Sequence, residues 1–398
     1  MKPHGTMELY ATGANHSLQL HFAKQEEIYQ GDADDLWKFT CVFRHRDIHT
    51  IRSFDSHTIV YQKRNNRFIA KAGRAPRGHN ALRFVDENIY RTFAEANNGH
   101  VAVYNSETAT ITEYATIRDL LRDLGFHYKP KHVSWEDELV KEERPKDCRP
   151  SRKEQFACGY EHYHAYHEVI PRPTLVLEVS YTGFPDIVQL LAHSTGFAAL
   201  SSTGEVYTWG DERFVGCLGR EVSDECPAQY PSPVPLLSQL PTGPVRHLSI
   251  SPTSSLLACL TAGNDLYIWG DPRQLPPSLR TLFFDQRRAA EGDWHDYNDS
   301  PVPVVITDTD GNEVDGIVDV AVGTEHIIAL TDQGEVYVIG QNWCGQLGLG
   351  EEIKWVTKWE KVPLSLDDGG GGTKKEIKAV AAGPWASFLI VGEQEKRM

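Results

Sequence analysis

The stretch IVDVAVGTEHIIALTDQGEVYVIGQNWCGQLGLG, residues 317–350, decides the architecture. Ile317 to Val322 is a run rich in β-branched residues that stops at the turn Gly323-Thr324-Glu325. His326 to Leu330 is a second apolar run, and Gly334 opens a third, Glu335-Val336-Tyr337-Val338-Ile339, which stops at Gly340. Short β-branched and aromatic runs punctuated by glycine are strand and turn chemistry, not helix chemistry.

The same unit recurs upstream, and self-similarity at a long period is the signature of a repeat fold. Gly204-Glu205-Val206-Tyr207-Thr208-Trp209-Gly210 and Gly263-Asn264-Asp265-Leu266-Tyr267-Ile268-Trp269-Gly270 match Gly334 to Gly340. Asp186 to Ala192 leads through His193-Ser194-Thr195-Gly196 into Phe197 to Leu200, and Val245 to Ile250 leads into Leu256 to Leu260. Val206, Leu266 and Val336 are spaced by 60 and 70 residues. With several strands per unit, that period predicts the blades of a β-propeller. Ala, Ser and Cys in the small strands suit the crowded inner part of a ring, and glycine supplies the positive φ of tight turns.

The N-terminal half is a weaker copy. Ser53 to Val60 and Ala96 to Val103 fit the turn, histidine and apolar part of the unit but lack a clean Trp-Gly strand. Turns near 56, 98, 195, 254, 325 and 385 count six units. The gap between 98 and 195 has room for another, so seven blades are expected, with six as the alternative. Ile377 to Ile390 is the first half of a unit, and Glu8 to Gly13 reads as the second half that it lacks. Pairing them would close the ring and remove exposed sheet edges. The expectation is one all-β propeller over 1–398, with a charged insertion at 130–158, a second loop insertion at 271–300 and a flexible loop at Gly369 to Gly372. Ile117, Leu120, Leu121 and Leu124 fall at helical spacing, which predicts a short helix before the charged insertion.

Gly334 to Gly350, following Val320 to Thr331, resembles the repeat of the regulator of chromosome condensation family, whose members are propellers usually of seven blades. Residues 186–391 carry four recognisable copies, and Arg213 to Gly219 is a decayed version of the Gly345-Gln346-Leu347-Gly348 segment. Within that family, the acidic character, the nearly bare propeller and the N-terminal closing strand are most similar to the fungal alpha-tubulin suppressor proteins. That resemblance implies a partner, a small CSL-type zinc-finger protein shared by diphthamide synthesis and Elongator-dependent tRNA modification. The family as a whole implies an alternative: guanine-nucleotide exchange on a small GTPase.

Charge narrows the partner class. The chain has 40 Lys+Arg against 55 Asp+Glu, a formal net charge of −15. Such a surface repels a phosphate backbone, so direct DNA binding is not expected and a basic protein partner fits better. Seven scattered Cys without a CxxC pair read as reduced thiols of the cytoplasm, with the nucleus also open. The first residues lack the apolar core of a signal peptide, and no apolar run is long enough to span a membrane.

No chemistry stands out. Cys158 to His167 holds Cys, Glu and His side chains, with His162 and His164 on one strand face, but the fixed structural-zinc spacings are absent. It is read as an aromatic-rich edge strand or loop beside the charged insertion, and no metal or cofactor is assigned. The glycines of 340–350 lack the Gly-Lys-Ser/Thr ending of a phosphate loop. Repeated histidines at His57, His100 and His326 suit turn-stabilising hydrogen bonds better than catalysis, because an active site needs one copy. The turns are the better candidates, since equivalent propeller loops gather on one face. Asp55, Asn98, His193, Thr324, Glu325, Pro384 and Trp385 are expected on that rim, with Phe54, Asn97, Thr195, Thr253 and Ser254. Trp385 leads, because no turn requires a Trp and aromatic side chains anchor interfaces. A non-enzymatic interaction propeller is the reading.

Overall fold

The computed structural model describes residues 6–22, 34–62, 68–73, 93–97, 99–123, 179–284, 299–308, 310–366 and 375–394. In chain order these form β1 (Met7–Gly13), β2 (Leu36–His45), β3 (Thr50–Ser53), β4 (His57–Tyr61), β5 (Phe68–Gly73), β6 (Phe93–Glu95), β7 (Val101–Asn105), β8 (Thr110–Tyr114) and α1 (Ile117–Asp123). There follow β9 (Val179–Thr182), β10 (Ile187–His193), β11 (Gly196–Ser201), β12 (Val206–Gly210), β13 (Ser232–Pro233), β14 (Val245–Ile250), β15 (Leu256–Thr261), β16 (Leu266–Gly270) and β17 (Val302–Val304). The last are β18 (Ile317–Val322), β19 (His326–Thr331), β20 (Val336–Gln341), β21 (Trp355–Lys361), β22 (Lys375–Ala382) and β23 (Ala386–Glu393).

Among the described residues these strands make six antiparallel sheets, with orders β3-β4-β5, β6-β7-β8-β9, β10-β11-β12-β13, β14-β15-β16-β17, β18-β19-β20-β21 and β2-β1-β23-β22. The first strand of one sheet abuts the first strand of the next and is pinned to it. Leu248 N donates to Gln189 Oε1 at 2.8 Å, Val322 N to Ser249 Oγ at 2.9 Å, and Val380 N to the Asp319 carboxylate at 2.9 Å. The apolar core lies between blades, not inside one. One cluster joins β15 and β16 to β18, β19 and Ile339, and another joins β19 and β20 to β22 and β23.

This layering explains the sequence. The second strand of a blade is covered on both faces, so β11, β15 and β19 are buried at every residue and read as continuous apolar runs, without alternation. The small residues Ala198, Ala199, Ala258, Cys259 and Ala329 sit there, where sheets press together. The first strands, which abut one another, carry small residues too, among them Ala192, Ala321 and Ala381.

Six sheets, not seven, corrects the favoured blade count, and the reason is topological. The interval thought to hold another blade lies inside one: β9 pairs with β8 from Thr110↔Thr182 to Glu113↔Val179, so the chain leaves a blade after its third strand and returns to add the fourth. The charged segment 130–158 and the cluster 158–167 fall in that interval, outside the described residues. The expected helix is α1, whose Leu120 packs with Phe93, Val101 and Tyr114. The expected insertion 271–300 lies between β16 and β17, with 285–298 outside the described residues, and its start packs on the neighbouring blade. Pro277 to Arg280 packs on β20 and β21, and Gln341 Nε2 donates to Ser278 Oγ at 3.2 Å. β1 pairs with β23 from Glu8↔Val391 to Gly13↔Ala386, the partnership that the sequence predicted.

Candidate functional site: a rim of linked turns

The turn between the first and second strands of a blade is built the same way in most sheets. The residue before the second strand points its carbonyl at the end of the third strand. Gln341 N donates to Glu325 O at 2.8 Å, Asp271 N to Ser255 O at 2.9 Å, Asp211 N to Thr195 O at 3.1 Å and Ala14 N to Trp385 O at 2.8 Å. The glycine that closes the third strand makes this approach possible. At Gly340, with φ of 120°, a Cβ would lie 2.3 Å from Glu325 O. So the Gly that ends each repeat serves the turn facing it.

The turns of consecutive blades are hydrogen-bonded in series. Ser194 N donates to Ser254 O at 2.9 Å, and Ser194 Oγ meets Ser255 Oγ at 2.8 Å. Thr253 Oγ1 hydrogen-bonds Thr324 Oγ1, and Thr324 N donates to Pro384 O at 3.2 Å. The Trp385 side chain donates to the Asp55 carboxylate. The turns of four blades are thus hydrogen-bonded in series, and the Trp385 indole reaches the turn of a fifth at Asp55.

Its members divide by exposure. Asp55 is exposed, with desolvation raising its carboxyl above the usual range, while His16 and the Trp385 hydrogen bond pull it back. Thr324, Glu325 and Trp385 are half-buried, and desolvation raises the Glu325 carboxyl. Pro384 is buried, so it shapes the turn and cannot present a contact. Asn97 is exposed, and Asn98 lies outside the described residues.

His193 is also a correction, because its ring is fully buried. A Cβ on Gly196 would sit 3.0 Å from the His193 ring. Two blades on, the pair is reversed: Gly323 stands where His193 does, and His326 where Gly196 does, with a Cβ at Gly323 falling 2.0 Å from the His326 ring. One imidazole fills this space in each of these two blades, supplied from opposite sides of the turn. His57 is buried likewise and stacks on Phe54 at 4.4 Å. His100, grouped with these by sequence, is exposed. Burial pushes the His193 ring down to about 3 and that of His326 to about 4, so both are neutral at pH 7.

The Gly-rich loop after β20 has a mechanical explanation. Thr12 Oγ1 donates to Gly345 O at 2.6 Å and Ser387 Oγ to Gln346 O at 2.7 Å, so the loop wedges under the next blade. Gly216 to Gly219 does the same, with Trp269 Nε1 donating to Cys217 O at 3.2 Å. The same loop carries a feature that the sequence reading passed over. Trp343 and Trp355 lie with ring centroids 5.8 Å apart, and each is about half exposed, 49% and 53%. The signal was present, since Trp343 sits in a turn that no backbone rule assigns to Trp.

A model of the Regulator of chromosome condensation (RCC1) repeat matches residues 317–346, which run from β18 through β20 into the Gly-rich loop. Residues 317–346 thus carry a repeat of this type, on one blade of the propeller. Protein pim1 of Schizosaccharomyces pombe is 30% identical over 234 residues, covering 56% of this chain and 38% of that protein. The mouse Regulator of chromosome condensation is 29% identical over 171 residues, covering 42% of this chain and 34% of its own length. The chain therefore aligns with little more than a third of either relative. The crystal structure of Prp20p from Saccharomyces cerevisiae, described with its binding properties to Gsp1p and histones, superposes with a TM-score of 0.51 at 12% identity. It covers 98% of this chain and 93% of that one, and at that identity the likeness is one of fold.

Proposed function

We propose that the chain is a non-enzymatic interaction propeller whose linked turn rim, centred on Trp385 and Asp55, binds a small CSL-type zinc-finger protein. In this reading it is an accessory factor of diphthamide synthesis and Elongator-dependent tRNA modification, acting in the cytoplasm and also in the nucleus, as one domain closed by β1. The carrying observation is the hydrogen-bonded series of turns, which holds Trp385 and Asp55 in place before any partner arrives. A pre-ordered surface loses little conformational entropy on binding. Titration calorimetry of the purified chain with such a zinc-finger protein tests it. A 1:1 complex is expected, weakened at least about tenfold by Trp385→Ala, the loss typical of a central aromatic anchor. No heat of binding would remove this partner.

A second reading is nucleotide exchange on a small GTPase, favoured by the shared fold with Prp20p and its described binding to Gsp1p. Faster release of a fluorescent nucleotide from a GTPase in the presence of the chain, sensitive to rim substitutions, supports it. Unchanged release rules it out.

A further inference from the structure

The 342–355 loop presents a second surface, on the same face as the rim and outward from it. It starts beside the rim, because Gln341 N is held by Glu325 O. Asn342 then folds the loop back on itself: its N donates to Lys354 O at 2.7 Å, and its side-chain amide donates to Gly350 O at 3.0 Å and Ile353 O at 2.6 Å. Glu351 and Glu352 are thereby fixed at the tip of a pinned turn. Both are exposed, and neither carboxylate has an ion-pair or hydrogen-bond partner among the described residues. Beside them stand Trp343, Trp355 and Ile353, all exposed. Two acidic side chains of the corresponding loops are neutralised instead, Asp211 by Arg213 and Asp271 by Arg273.

We propose that this loop is a docking platform for an arginine-bearing segment of a basic protein partner, with the guanidinium group stacking on the Trp343–Trp355 pair and pairing with Glu351 and Glu352. The charge relation is the argument. Two unpaired carboxylates next to two open indole faces complement a group that is both cationic and planar, and arginine is that side chain. The molecule shows the same chemistry internally, since the Lys354 ammonium lies over the Trp37 ring at 4.5 Å. With that cation turned inward, the nearest lysine does not neutralise the tip. A long apolar ligand would leave both carboxylates unpaired, and an acidic one would meet them with like charge.

The surface is independent of the rim around Trp385, so the two can fail separately. The probes are synthetic peptides of equal length: an arginine–glycine peptide, a lysine–glycine peptide and a glutamate–glycine peptide. Binding to the whole chain is followed by calorimetry. The arginine peptide is expected to bind most tightly and the glutamate peptide not at all. Trp343→Ala with Trp355→Ala is expected to weaken arginine-peptide binding about tenfold, as loss of exposed cation–π and packing contacts would. Glu351→Gln with Glu352→Gln, two exposed changes that leave the fold intact, is expected to weaken it about fivefold and to flatten its salt dependence. Glu221→Gln with Glu225→Gln removes the same charge at another exposed loop and is expected to change nothing, as is Trp385→Ala. Equal loss from the control pair would mean diffuse attraction and overturn the proposal. So would equal affinity of the lysine peptide, or binding indifferent to both Trp substitutions.

Discussion

His326 makes the turn rim an acid-sensitive joint, and the size of the effect follows from its burial. In the folded chain the ring titrates at about 4, and in the unfolded chain at about 6.5. The folded state therefore binds fewer protons between these values. Stability from the neutral ring is complete above about 6.5 and is lost as pH falls towards about 4. At pH 5 the loss is about 2 kcal/mol, and it approaches about 3 kcal/mol at lower pH. His193, held down to about 3, acts in the same direction. Burial lifts the Glu95 carboxyl to about 7, so its protonation favours the folded state over the same interval by a comparable amount. The bare pH profile of the native protein thus mixes opposing contributions. The difference between native and His326→Gln chains isolates the ring. Urea unfolding followed by tryptophan fluorescence at pH 7 and pH 5 measures it. The stability advantage of native over variant should shrink by about 2 kcal/mol on acidification. If that advantage is the same at both pH values, the ring is not sealed from water in the folded chain.

Three further outcomes test the fold. Gly340→Ala forces a Cβ to 2.3 Å from Glu325 O and is expected to destabilise by about 2 kcal/mol or more, whereas Gly334→Ala, with positive φ but open space, should cost about 1 kcal/mol in the same thermal melts. Leu9→Ala empties a fully buried site in the cluster with Phe43, Val60 and Phe388 and should cost about 3 kcal/mol by urea unfolding, which a peripheral N-terminal arm would not show. Cys217 is buried and its thiol pushed up to about 12, and Cys259 is raised further, so mass spectrometry after native-state alkylation should find both unmodified and Cys226 labelled.

Much of this fold was legible because each repeat states its own strand and turn requirements. Gly340, Gly270 and Gly210 mark third-strand ends, and the paired turns could be matched from them. The blade count was not legible, because the bond between β8 and β9 joins residues 110–113 to 179–182, and no local pattern reports so distant a pairing. The rim followed from alignment of the turns, but the exposure of its members did not. His193 and His326 look like separate polar candidates in sequence, and only the close approach of Gly196 and Gly323 shows that they fill one recurring space. The Trp343–Trp355 pair was hidden because its halves lie at opposite ends of a loop closed by Asn342.

The sheet that joins β1 to β22 and β23 imposes an order on synthesis. A ribosome adds about 5–20 residues per second, so the strand around Glu8 waits roughly 20–80 seconds for its partner around Val391 to be made. β2 can cover one edge of β1 early, as a hairpin, and residues between Leu20 and Ala72 can pack on Leu9 and Ala11, but the other edge of β1 has no native partner until β23 emerges. The nascent chain is therefore open to wrong strand pairing along the uncovered edge of β1 throughout that interval. A chaperone that holds this protein co-translationally would act there first.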